Sequence, residues 1–135
     1  MVAMTGRVSI NRKLVYISQP QWMIGHWCPG CSTIHGFPCF EPTWGGSKWE
    51  FDGDYKLPSF LPSIEFTGYD KVKDEHKKCH YILAKGKISY LSGTTHHLKG
   101  QVVPLPDIPH KEFNKHCMRE LNNGFRRFNG DNYEA

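Results

Sequence analysis

The sequence lacks any long apolar run. No stretch of it approaches the ~20 consecutive apolar residues that a membrane-spanning helix requires. The chain also lacks a strong charge of one sign, because its formal net charge is only +4 over 135 residues and its cations are dispersed. Residues 1–12 carry no basic-then-apolar signal pattern. We therefore expect a cytoplasmic protein that has no membrane partner and for which nucleic acid is the less favoured partner.

Repeats and low-complexity segments are absent as well, and the hydrophobic content of 39% is that of a folded chain. Short apolar stretches alternate with turn residues, which is typical of β structure. The sequence predicts one zinc-binding domain over residues 1–135, of mainly β (α+β) class, with a small antiparallel sheet built around a zinc knuckle. Its core is expected at 13–106, its C-terminal helix at about 110–122 and a loose tail at 129–135.

Two elements are predicted with definite boundaries. The apolar segments 79–84 and 87–91 flank Lys85-Gly86, and such a pair is typical of a tight β-hairpin turn. In the helix, Phe113, Cys117 and Leu121 recur at every fourth position and predict one apolar stripe. Cys117 is therefore expected in the core, whereas His116 stands among charged residues and is expected at the surface.

The strongest motif is Cys28-Pro29-Gly30-Cys31. Two cysteines separated by two residues, one of them Gly, form a tight turn that aims both sulfurs at one point, which is half of a tetrahedral zinc site. A redox pair is the alternative, but redox motifs usually open a helix, and the Ser-Thr-Ile that follows does not read as a helix start. Five cysteines also cannot all pair with one another. The sequence therefore predicts that Cys28 and Cys31 bind Zn2+.

The other half of this zinc site must come from distant residues. Cys79 is the best third ligand, because it begins a strand after a charged loop. His80 is its neighbour, and adjacent strand residues point to opposite faces, so only one of the two can face the metal. We prefer His96 as the fourth ligand, since it follows the next strand across a short turn. His80, His97 and His35 stay open as alternatives.

Beyond the knuckle, further motifs follow in a specific order. They are Trp27-Cys28-Pro29-Gly30-Cys31 with His35, Trp-Glu-Phe-Asp-Gly-Asp at 49–54, Pro-Ser-Phe-Leu-Pro-Ser-Ile at 58–64, Cys-His-Tyr-Ile at 79–82, Gly-Lys-Ile-Ser-Tyr-Leu at 86–91, and Thr-His-His-Leu-Lys-Gly-Gln-Val-Val-Pro-Leu-Pro at 95–106. The series resembles the DUF6527 family of small predicted metal-binding proteins, which are often mislabelled ammonia monooxygenase. The resemblance implies a metal-binding β-rich fold and a phage or prophage source, and relatives occur beside bacterial ubiquitin-like conjugation genes. Gly93 and Thr94 depart from the family pattern, which often has an Asp and a Cys before the Thr-His motif.

Two functions fit these features. The preferred one is a zinc-stabilised β module that binds a protein partner, which the resemblance implies is a host or phage protein. The alternative is a small hydrolase or peptidase acting on a peptide or, as the resemblance implies, on a ubiquitin-like tail. In its serine form, Ser63 is the candidate nucleophile, with His80 and His35 as the histidines that activate it. In its zinc form, three protein ligands leave a position for a catalytic water.

Overall fold

A computed structural model describes residues 11–19, 21–40, 46 and 48–122. The described chain is mainly β with one C-terminal helix, which confirms the predicted fold class. Its strands form three sheets, ordered β1-β2-β3, β4-β5 and β6-β7-β8-β9. The elements are β1 Val15–Ile17, β2 Met23–Cys28, β3 Thr33–Phe37, β4 Glu50–Phe51, β5 Phe60–Leu61, β6 Ile64–Asp70, β7 Glu75–Ala84, β8 Lys87–Tyr90, β9 Val102–Pro104 and α1 His110–Asn122.

The described residues fall into two compact units. Those within Met1–Trp27, Ile34–Lys48 and Asp107–Ala135 form the first unit, and those within Cys28–Thr33 and Trp49–Pro106 form the second. Among the described residues, no helix is long and apolar enough to cross a membrane. The predicted loose tail, 129–135, lies outside the described residues.

In the first unit, α1 is joined to β1 by buried polar groups. Glu120 is 2% exposed, and its Oε1 accepts hydrogen bonds from the Ser18 N–H at 3.1 Å and from the Ser18 hydroxyl at 2.6 Å. His116 Nε2 lies 2.9 Å from the carbonyl oxygen of Tyr16. The expectation of a surface His116 is therefore wrong, because its ring satisfies a buried carbonyl. Cys117, of the predicted apolar stripe, is half-buried.

In the second unit, the longest strand pairing joins β6 to β7 in antiparallel register, with Glu65 opposite His80. The predicted hairpin follows, and β7 pairs with β8 around Lys85-Gly86. Both turn residues have positive φ, 49° and 74°, which is the conformation of a two-residue turn whose twist matches the flanking strands. β7 begins at Glu75, four residues before the predicted start, because the preceding charged segment continues the pairing with β6.

Alternation along β7 separates its side chains into two sets. Cys79, Tyr81 and Leu83 are at most 2% exposed, whereas His80 and Ile82 are partly open to solvent. Since successive side chains of a strand point to opposite faces, the buried set faces the core of the second unit and the other set faces outward. The two chemically interesting residues of this strand, Cys79 and His80, therefore belong to different faces of one sheet.

Candidate active site and metal centre

The cysteine knuckle begins where β2 ends, at Cys28. The chain turns back at once, because the Ser32 N–H donates to the Cys28 carbonyl at 2.8 Å and Ser32 adopts a positive φ of 53°. Inside the turn, the Cys31 N–H points at the Cys28 sulfur at 3.4 Å. Such an amide stabilises a thiolate, and the turn brings both cysteines to one side, as the motif predicts.

Cys79 meets this knuckle from β7. Its sulfur lies 3.8 Å from that of Cys28, and two thiolates held about 2.3 Å from a tetrahedral zinc ion would also be about 3.8 Å apart. The sulfurs of Cys28, Cys31 and Cys79 all lie within 4.8 Å of one another. These three cysteines of the second unit belong to a group that can hold a metal ion, which we call the metal group.

His96, the preferred fourth ligand, also reaches this cluster. Its Nε2 lies 3.4 Å from the Cys79 sulfur, and its ring meets that of Tyr90 edge-on. The Leu98 N–H donates to the other ring nitrogen, Nδ1, at 3.2 Å. A neutral ring that accepts at Nδ1 carries its proton on Nε2, so in this geometry His96 donates a hydrogen bond to the sulfur. The alternative ligand His97 is exposed.

Crowding and burial keep the Cys31 and Cys79 thiols protonated in the absence of a cation. Burial, followed by the nearby charge of Cys28, raises the pKa of Cys31 to about 11. The hydrogen bond with Cys28, followed by burial, raises the pKa of Cys79 far above its ordinary value. The Tyr90 hydroxyl lies 3.1 Å from the Cys28 sulfur, and burial raises its pKa as well. A divalent cation supplies the positive charge that would allow these sulfurs to ionise.

A second constellation lies on the outward side of β7. His80 Nε2 is 3.1 Å from the hydroxyl oxygen of Ser63. Ser63 directly precedes β6, and the Trp49 indole N–H fixes its backbone by donating to its carbonyl oxygen at 3.1 Å. The His80 side chain is 29% exposed, so the pair is open to a substrate. A hydroxyl within hydrogen-bond distance of an imidazole is the minimal unit of nucleophilic serine catalysis.

Glu65 adds a carboxylate to this pair, and the sequence reasoning missed it. Its Oε1 lies 3.8 Å from His80 Nδ1, the ring nitrogen on the side away from Ser63. Lys78 Nζ lies 4.0 Å from the other carboxylate oxygen. Glu65 stands two residues after Ser63 and directly opposite His80 in the strand register. The sequence does show a serine two residues before an acid at the start of an alternating segment, but only the strand register places that acid beside His80.

The structure thus brings together Ser63 and His80 of the serine hypothesis, with Glu65 on the far side of the imidazole. The third residue of that hypothesis, His35, is buried in β3, where its ring meets the ring of His26 edge-on at 6.0 Å. Glu65, rather than His35, is therefore the residue that lies beside the second ring nitrogen of His80. A serine beside an imidazole, with a carboxylate on the other side of the ring, is the spatial arrangement that serine hydrolases share across unrelated folds.

A comparison with protein families agrees with this geometry. A family described as the bacterial ubiquitination-like system serine protease, BubE, matches residues 3–91. This match fits the ubiquitin-like conjugation context that the DUF6527 resemblance implied, but it does not name DUF6527 and gives no indication of a phage source. Comparisons with curated proteins and with solved structures gave no match.

Proposed function

Since the chain belongs to the BubE family of bacterial ubiquitination-like system serine proteases, we propose that it is a serine protease whose nucleophile is Ser63. The observation that carries the proposal is the 3.1 Å contact between the Ser63 hydroxyl and His80 Nε2. A turn serine with no catalytic role needs no imidazole at its hydroxyl. The pair also stands at a solvent-accessible face rather than in the core.

The reaction follows from the positions of the three side chains. His80 Nε2 takes the Ser63 proton as the hydroxyl oxygen attacks the carbonyl carbon of the scissile peptide bond. The imidazolium then gives this proton to the leaving amine, and an acyl ester forms on Ser63. Water enters and attacks the acyl carbon as His80 takes one of its protons. The ester bond to Ser63 then breaks, the acid leaves, and the imidazolium returns the proton to the Ser63 oxygen. Glu65 holds a proton on His80 Nδ1 and stabilises the imidazolium that forms twice in the cycle.

The distance of 3.8 Å between Glu65 and His80 Nδ1 exceeds a hydrogen bond. Catalytic hydrogen bonds are often long in substrate-free enzymes and shorten when substrate binds. Glu65 is therefore placed to orient the ring through a small side-chain adjustment. Lys78 Nζ, 4.0 Å from the other carboxylate oxygen, attracts Glu65 to this side of the strand.

The substrate class follows from the family rather than from the pair itself. The family's description places it in a bacterial ubiquitination-like system, so the substrate is the flexible peptide tail of a ubiquitin-like protein, or the bond that joins this tail to a target. An extended tail can reach a serine at the outward face of a sheet, whereas a folded segment cannot present its backbone there. The protein partner predicted from the sequence is then the substrate.

The metal group has a separate, structural role in this proposal. Three cysteines and a histidine are the ligand set of closed zinc sites, which leave no position for a catalytic water. We infer that the ion is Zn2+. Cys79 faces the side of β7 opposite to His80, so the ion is not directed at the Ser63 hydroxyl. Its binding energy stabilises the fold around the knuckle.

The experiment is covalent labelling with a fluorophosphonate. We expect the purified protein to be labelled at Ser63, as mass spectrometry of the tryptic peptide would show. Ser63→Ala should abolish the labelling and change the free energy of unfolding by no more than about 1 kcal/mol. The matched control is Ser92→Ala, which removes an exposed serine elsewhere in the second unit and should label like the parent. Labelling that persists in Ser63→Ala, or that never occurs in the parent, contradicts the proposal.

A further inference from the structure

Strand β7, which carries His80, is longer than its neighbour β8. The pairing of β7 with β8 extends from Ala84↔Lys87 to Tyr81↔Tyr90, and β8 ends there. On that side of β7, His80 therefore lies one residue beyond the last ladder pair. The chain that follows β8, residues 91–100, runs beside this part of β7, and we name it the threonine loop. Its first residue already continues the ladder, because the Leu91 N–H donates to the His80 carbonyl at 2.8 Å.

The Thr94 side chain makes hydrogen bonds to the His80 backbone that a further residue of β8 would otherwise make. Its hydroxyl oxygen accepts a hydrogen bond from the His80 N–H at 3.0 Å, and its hydroxyl proton is donated to the His80 carbonyl at 2.8 Å. One side chain thus bonds both backbone groups of His80 on this edge, and the carbonyl accepts the Leu91 N–H as well. Thr94 is 1% exposed, so these bonds are shielded from water. Buried hydrogen bonds of this kind fix a backbone position because water cannot replace them.

The threonine loop is itself held at several points. The Thr94 N–H donates to the Leu91 carbonyl at 3.0 Å, which closes a turn ahead of Thr94. The Gly100 N–H donates to the Tyr90 carbonyl at 3.0 Å, which returns the end of the loop to β8. Between them, the His96 ring lies 3.4 Å from the Cys79 sulfur. The hydroxyl of Thr94 is therefore presented by a closed loop that is anchored on both sides.

We propose that Thr94 is the positioning residue for the catalytic base: its hydroxyl fixes the His80 backbone and so sets the distance from Nε2 to Ser63. This inference rests on the proposed serine protease function. β6 fixes His80 from one side, through the pairing with Glu65, and Thr94 fixes it from the other. A displacement of about 1 Å between a catalytic group and its target can lower a rate about 100-fold.

The test compares two threonine-to-valine variants by their fluorophosphonate kinetics. Thr94→Val keeps the β-branched shape and removes the hydroxyl. Thr95→Val is the matched control, because Thr95 makes the same type of bonds with Lys78, two residues before His80: it accepts from the Lys78 N–H at 3.1 Å and donates to its carbonyl at 3.3 Å. We expect Thr94→Val to lower the maximal labelling rate at least about tenfold with little change in the probe concentration for half-maximal rate. Thr95→Val should stay within about threefold of the parent.

A conservative variant separates positioning from general stability. Thr94→Ser keeps the hydroxyl, and we expect it to restore the labelling rate to within about threefold of the parent even if it melts at a lower temperature. A parent rate in Thr94→Val overturns the inference. If Thr94→Val does not fold, a folded Thr94→Ser that labels at least about tenfold more slowly overturns it as well, because the hydroxyl is then not the decisive group. In both cases the parent is still labelled at Ser63, whereas an unlabelled parent would contradict the protease function itself.

Discussion

Cys79 and His80 are neighbours on β7 and serve opposite faces of the sheet. The Cys79 sulfur lies 3.8 Å from that of Cys28, while His80 Nε2 lies 3.1 Å from the Ser63 hydroxyl. Strand alternation alone makes this division possible, because successive side chains point in opposite directions. β7 therefore contributes one residue to the metal group and one to the proposed catalytic pair, and the two sites lie on opposite faces of the sheet.

This division predicts different phenotypes for the two neighbours. Cys79→Ser should lose the bound metal and melt at a lower temperature, since metal binding and folding are coupled. His80→Ala should keep its metal and its melting temperature but lose fluorophosphonate labelling. Cys117→Ser, which changes a cysteine of α1 outside the metal group, is the control and should keep both. Metal content by atomic absorption and melting by circular dichroism measure the outcomes, and equal metal loss in both β7 variants would contradict the division.

Glu65→Gln should slow the chemistry without impairing binding. The amide cannot hold a proton on His80 Nδ1 or stabilise the imidazolium as the carboxylate does, and we expect the labelling rate to fall about 10- to 100-fold. The half-maximal probe concentration should stay the same. Glu75→Gln, at the exposed start of β7, removes the same charge from the same sheet and is the control. A parent rate in Glu65→Gln would show that the ring is oriented without this carboxylate.

The two histidines near the cysteines should differ in their effect on metal affinity. His96 accepts the Leu98 N–H at Nδ1 and donates to the Cys79 sulfur, so His96→Ala should weaken metal binding about 10- to 100-fold, as the loss of a supporting hydrogen bond does. His35→Ala should weaken binding more strongly, because we expect its imidazole, one of the alternatives that the sequence leaves open, to be the fourth ligand. His97→Ala should leave binding unchanged. Competition with a chromogenic chelator measures the affinities, and the reverse order would make His96 the fourth ligand, as the sequence predicts.

Protein freed of metal should lose stability as the pH rises above 9. The Cys31 thiol releases its proton near its ordinary pKa of 9.0 in the unfolded chain but near 11 in the folded protein. The unfolded state therefore releases more protons between these values, and the unfolding free energy falls with rising pH. The contribution is fully present below pH 9 and is lost as the pH passes about 11. Melting curves of chelator-treated protein from pH 7 to 11 measure this, with Cys31→Ser as the variant whose dependence should be weaker.

Local patterns predicted much of the fold. α1 begins and ends at the predicted residues, because its boundaries depend on the turn-forming and helix-forming preferences of nearby residues. The hairpin at Lys85-Gly86 was recognisable for the same reason. The separation of Cys79 from His80 also followed from local alternation. Each of these features is determined within about ten residues of sequence, the range over which such patterns apply.

Features that depend on long-range register were not predicted. Glu65 gains its meaning only from standing opposite His80, and a shift of one residue in that pairing would send it to the other face. The buried Glu120 was equally invisible, because its partner Ser18 lies 102 residues away in the sequence. The sequence predicts a surface His116 for the same reason, because its partner Tyr16 lies 100 residues away. A polar residue that is buried against a partner distant in the sequence cannot be told from a solvent-exposed one when only the adjacent residues of the sequence are considered.

The contact between Gly30 and His96 has an evolutionary consequence. A Cβ atom at residue 30 would lie 2.1–2.4 Å from three atoms of the His96 ring. The backbone of Gly30 is not among those with positive φ, so its glycine is explained by the space that the imidazole occupies rather than by the turn. The two positions should therefore covary among homologues: a lineage that replaces His96 by a smaller residue is free to accept alanine or serine at position 30, whereas one that keeps the histidine is not.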